Sequence, residues 1–144
     1  MDFEPRSVFA ASPVARLATV TASGRPHLVP VVFAVQFDHE NQFDHNNDVV
    51  YTAVDAKPKS TQRLRRLQNI EANAAVSLLV DHYADDWAQL WWVRVDGTAT
   101  IAREGAALAT GYRLLRAKYE QYQFVSLDGP VIAITVTRWS SWHA

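Results

Sequence analysis

Between Val54 and Ile70 the chain reads VDAKPKSTQRLRRLQNI, with two lysines and three arginines in the ten residues from Lys57 to Arg66. The formal net charge of all 144 residues is only −1, so this positive charge is concentrated rather than general. Pro58 and Ser60-Thr61 suit a helix start, with a hydroxyl available as N-cap. At about 100° per residue, Leu64 and Leu67 share one side, and Arg63 and Arg66 lie next to each other on another. Lys57 and Lys59 precede the helix, at the positive end of its dipole. Exposed backbone N–H groups, a hydroxyl and several cations would hold a phosphate or several carboxylates. A solvated basic helix face has the same pattern, and the residues by themselves leave both readings open. The G-x-x-x-x-G-K pattern of a nucleotide P-loop is absent. No second basic stretch extends the patch, which argues against a nucleic-acid surface.

Other chemistry-bearing residues are sparse. There is no cysteine, which removes disulfides, thiolate metal sites and cysteine nucleophiles. The run FDHENQFDHNND, Phe37 to Asp48, carries two histidines and four acids, but it lacks the pivot glycine and closing glutamate of a calcium loop. It reads as a polar loop, since Asn and Asp satisfy their own backbone in turns, and no metal is expected. His27 near a turn reads as a surface residue. No Ser-His-Asp order or pair of carboxylates stands out, so no catalytic residue is assigned.

These residues need a scaffold, and the composition, 49% hydrophobic and 20% charged, is that of one globular domain over residues 1–144. The N-terminus is acidic before it is apolar and resembles neither a secretory signal nor a membrane anchor, so a cytoplasmic protein without membrane contact is expected. Phe3 to Ala11 predicts a short helix. ARLATVTASGRPHLVPVVFAV, from Ala15, predicts a hairpin about Ala22–Arg25, with Pro30 marking an edge, a bulge or an opening of the ladder. VVYTAV (Val49–Val54) is a third strand, AAVSLLVDHY a buried one, and LWWVRVDGTATIARE two strands or one bent at Gly97. From Glu104 to Tyr122, Leu108, Tyr112, Leu115, Tyr119 and Tyr122 make one apolar helical stripe. Asp128-Gly129-Pro130 then launches a last strand on which Ile132, Ile134 and Val136 share a face. Mainly antiparallel strands with one long helix predict a small closed or split barrel rather than a doubly wound sheet. Trp91 and Trp92, adjacent on a strand, must face opposite sides.

The hairpin, VVYTAV, the basic helix entry KPKSTQRLRRLQNIEAN and LLVDHYADDW…WWVRV together resemble the pyridoxamine 5'-phosphate oxidase-like split-barrel superfamily, and within it the branch that uses the deazaflavin F420. The resemblance implies a six-stranded split β-barrel with flanking helices, forming a homodimer with a flat cofactor in the groove between subunits. It implies that Lys57, Lys59, Arg63 and Arg66 hold the phosphate, with a hydroxyl donor from Thr52. The ring would lie along His27, Val29 and Pro30, and Trp92, Arg138 and Trp139 would reach the cofactor, some from the neighbouring subunit. Asn73 is followed by Ala74 where shorter members have an Asn-Pro pair, which makes Arg66 the counterpart of their single lysine. The implied activity is hydride transfer between F420 and a small organic substrate of conjugated or quinone-like type. FMN is the alternative cofactor, in an enzyme that oxidises pyridoxamine phosphate. A non-catalytic F420- or haem-binding protein is the third reading, with His82 and His143 as the axial candidates for haem.

Overall fold

A computed structural model of the chain describes residues 3–38, 47–54 and 61–144, with side chains of the second helix from Arg65 onward. Lys57 and Lys59 lie outside the described residues, as do the side chain of Arg63 and most of the Phe37–Asp48 run. Gly24, at φ +88°, turns strand β1 (Ala15–Val20) back onto β2 (Pro26–Val31), a left-handed backbone that glycine adopts without steric cost. Thr21 N–H closes this hairpin on the Arg25 carbonyl at 2.9 Å.

The chain continues through β3 (Ala34–Gln36), β4 (Val49–Ala53), helix α2 (Thr61–Ala72), β5 (Ala75–His82), β6 (Trp91–Ala102), α3 (Gly105–Lys118) and β7 (Val131–His143), after an opening helix α1 (Pro5–Ala11). The sheet has seven strands, in the order β2-β1-β5-β6-β7-β4-β3, and every pairing is antiparallel. Six strands were expected. The seventh arises because the second arm of the hairpin stops at Val31 and resumes at Ala34 as a separate strand on β4. The sheet order begins and ends with β2 and β3, which are consecutive in sequence. The sheet therefore curls into a barrel whose two free edges meet at the Val32-Phe33 joint.

Alternation along each strand separates two environments. Leu17, Val50, Leu78, Val80, Val93, Val95, Ile132, Ile134 and Val136 fill the barrel with Phe9 and Phe33. Tyr51, Val131 and Ala133 face outward under Leu108, Tyr112 and Leu114 of α3. Gly111 of α3 is buried there, and an added Cβ would meet Val131 Cγ1 at 2.8 Å, which accounts for a glycine inside a helix. β6 is one continuous strand with a bulge at Asp96/Gly97. A Cβ on Gly97 would fall 2.5 Å from the Thr135 carbonyl oxygen and 2.7 Å from Ile134 Cγ2. Gly97→Ala should therefore cost about 2 kcal/mol through forced displacement of β7, measured by urea unfolding; a change below a few tenths would contradict this packing.

Candidate functional site

β2 is an edge strand, so half its backbone groups face away from β1. The Thr21–Arg25 bond fixes the phase of the alternating ladder: Thr19/His27 and Leu17/Val29 exchange hydrogen bonds, while Val20/Pro26, Ala18/Leu28 and Arg16/Pro30 do not. Both prolines thus occupy positions where the ladder needs no N–H. The outward edge keeps the carbonyls of Pro26, Leu28 and Pro30, with Leu28 as the one amide donor within the strand. Such an edge resists strand addition by another chain while leaving acceptors for a ligand.

Where this edge meets the end of β4, a cavity of about 250 Å³ opens. Pro30, Val31 and Val32 form one wall, Thr52, Ala53 and Val54 the floor, and Arg66 reaches in from α2. The opposite wall is the segment after α3: Tyr122, Val125, Ser126, Leu127 and Asp128. Arg66 is only 9% exposed. It is placed there because α2 turns Arg66, Leu67, Asn69 and Ile70 inward together, spacings that share one helix face. Asn69 Nδ2 anchors that face by donating to Thr19 Oγ1 at 3.0 Å. An arginine on the inward face of a helix departs from ordinary burial preferences, and here it gives a cavity of mixed polar and apolar lining a buried positive charge. Thr52 Oγ1 donates to the Val32 carbonyl at 2.7 Å. Its single proton is thereby engaged, so the hydroxyl meets a ligand as an acceptor.

The structure brings together Pro30, Thr52 and Arg66 of the residues singled out in the sequence. His27 and Val29 share β2 with Pro30 but are turned into the barrel and half-buried; His27 Nδ1 is buried without a hydrogen-bond partner. Trp92 stands on the outer sheet face with Leu28, Leu79, Arg16 and Arg94. Arg138 pairs across from Asp96 on that outer face and is exposed. Trp139 points inward, edge-on to Phe9 at 5.4 Å, with its indole N–H donating to Asp48 at 3.2 Å. His82 and His143 flank Trp91 on neighbouring strands, and neither lines the cavity. Among the described residues no group of three metal-binding side chains converges.

The apolar stripe runs on to Tyr122, whereas α3 ends at Lys118 and a 3-10 turn, Glu120–Gln123, follows, so the wall from Tyr122 to Asp128 lies outside the helix that the periodicity predicts. A signal was present: Phe124 and Val125 are apolar residues off the stripe, between a helix end and a turn. They are 85% and 54% exposed.

The family model of pyridoxamine 5'-phosphate oxidase matches residues 1–143, essentially the whole chain. The chain belongs to the pyridoxamine 5'-phosphate oxidase family. Solved structures share the family's split-barrel fold. One is a conserved hypothetical protein from Mycobacterium tuberculosis, with 22% identity, TM-score 0.68, and 99% of this chain and 86% of that chain covered. Another is a FAD-binding protein from Mesorhizobium loti, with 19% identity, TM-score 0.66, and 94% and 87% covered. A third is the haem storage protein HutZ from Vibrio cholerae, with 18% identity, TM-score 0.65, and 99% and 95% covered. No curated protein matches the sequence. Members of the family include oxidoreductases, and none of the helices described here is long and apolar enough to cross a membrane.

Proposed function

We propose that the cavity at the barrel seam holds the ring of F420, and that the protein is an oxidoreductase passing a hydride between this deazaflavin and a small organic molecule. The observation that carries the reading is the buried Arg66 beside an open β-edge in one cavity; Lys57, Lys59 and Arg63 precede it in sequence. A volume of about 250 Å³, just under the usual range of small-molecule sites, would take a fused planar ring and leave a long tail outside. The ring's imide edge carries an N–H, and the free carbonyl of Pro30 is an acceptor for it. Arg66 supplies a charge-assisted contact to phosphate oxygens near the ring. The basic residues before and within α2 then meet a tail that carries a phosphodiester and several carboxylates. F420, when bound, supplies the hydride chemistry; Val31, Val54 and Leu127 keep water from the ring.

The ring edge and the phosphate clamp would serve FMN equally well. Oxidation of pyridoxamine phosphate, however, asks for a second anion site, and the wall opposite Arg66 offers Ser126, Leu127 and the acidic Asp128. The reading also includes a homodimer. The outer sheet face carries Leu28 of β2 at 67% exposure, Leu79 of β5 at 37% and Trp142 of β7 at 47%. Trp92 and Arg94 lie among them. A second copy seated there would cover this apolar surface and border the cavity along β2, bringing the partner's aromatic residues to the ring. The test is to mix the protein with reduced F420 and menadione and follow reoxidation of the deazaflavin. Protein-dependent turnover supports the oxidoreductase; tight binding with no turnover over a panel of quinones would make the protein a carrier.

A further inference from the structure

The two walls of the cavity come from segments far apart in sequence, and one pair of side chains touches the root of both. Pro30–Val32 runs directly into Phe33, and the other wall begins at Tyr122, just beyond Tyr119. Phe33 sits in the gap between β2 and β3, wholly buried against Phe9, where no ladder partner serves its peptide groups. Phe33 N–H donates to the Tyr119 hydroxyl at 3.0 Å. That hydroxyl also lies 2.9 Å from the Phe33 and Pro13 carbonyls. With one proton it can donate to only one of them at a time. Lys118 Nζ donates to the Phe33 carbonyl at 2.9 Å and to the Ser12 carbonyl at 2.7 Å, and it rests 3.7 Å from the Phe33 ring centroid. Burial pulls this ammonium from 10.5 down to about 8, so the two carbonyls and the ring face offset the cost of keeping a charge there.

We propose that Lys118 and Tyr119 are positioning residues for the cavity, setting the separation of its walls by holding the Phe33 peptide groups at the end of α3. The cofactor part of the test rests on the function proposed above; the exchange part does not. Hydrogen–deuterium exchange on the full chain should show amides of Val31–Ala34 and Tyr122–Val125 exchanging about tenfold faster in Tyr119→Phe, which orphans the Phe33 N–H, and in Lys118→Ala. Amides of β5 and β6 should be unchanged. Lys118→Arg, which keeps charge and donors, should stay within about twofold of the parent. FMN and F420 affinities should fall and recover in the same order. Unchanged wall protection in both loss variants would overturn the proposal, as would equal acceleration in β5 and β6, which would mean general loosening. If either variant fails to fold, Lys118→Gln, which keeps one donor, is read by the same criterion. Exchange as expected in a protein that binds neither cofactor would sink the cofactor reading and leave this one standing.

Discussion

Asp48→Ala should lower the stability of the fold by about 3 kcal/mol, the value for breaking a largely buried, hydrogen-bonded ion pair. Asp48 is completely buried. It accepts from Arg6 Nε and one terminal guanidinium nitrogen at 3.1 Å each, from the Asp38 amide at 2.8 Å and from the Trp139 indole at 3.2 Å. One carboxylate thus joins α1, the chain leaving β3 and the far half of β7. Alanine would strand a guanidinium, an indole N–H and an amide at once. The Arg6 side chain keeps partial access to water at 30% exposure, with its guanidinium 4.7 Å over the Phe37 ring, so most of the cost falls on the buried indole and amide donors. Asp48→Asn keeps an acceptor and loses the charge, and should cost about half as much. Urea unfolding at neutral pH measures both; a loss below 1 kcal/mol for alanine would show that the cluster is not a structural joint. The cluster also accounts for Trp139, expected near a cofactor and found tied to the barrel interior.

Arg66→Ala should weaken cofactor binding about 100-fold, while the apoprotein loses less than about 1 kcal/mol of stability. The first figure is the worth of a desolvated, charge-assisted contact to an anion. The second follows because removing a buried cation removes its desolvation cost, which offsets much of what its contacts within the fold contribute. Arg66→Lys should recover only part of the affinity, since an ammonium cannot present the planar fork. Isothermal titration and thermal melting on the same preparations separate the two effects. Equal affinity in Arg66→Ala and parent would return the basic segment to the role of a solvated face.

Much of the scaffold was legible because its signals are local. Gly24 between two β-rich arms specified the hairpin, Gly97 the bend in β6, and the leucine-tyrosine stripe most of α3. Pro30 was read as an edge, a bulge or an opening, and the edge is real. The break comes two residues later, however, because at a non-bonded position a proline removes nothing from the ladder. The length of α3 was overestimated for a non-local reason: Lys118 and Tyr119 are drawn to Phe33, a contact that periodicity does not encode. Of the candidate site residues, Pro30, Thr52 and Arg66 line one cavity, whereas Trp92 and Arg138 stand on the outer sheet face. The Tyr122–Asp128 wall went unseen because it is built by irregular chain, brought to the seam by tertiary packing alone.

The central claim is that the seam cavity holds a flat redox cofactor with an anionic tail, and a fluorescence-quenching titration of purified protein with F420 and, separately, with FMN tests it most directly. The account predicts micromolar or tighter binding of F420, weakened by Arg66→Ala and by added salt as a tail held by cations requires. Binding of neither ligand at concentrations well above micromolar would contradict it; binding of FMN alone would keep the cavity and reject the deazaflavin.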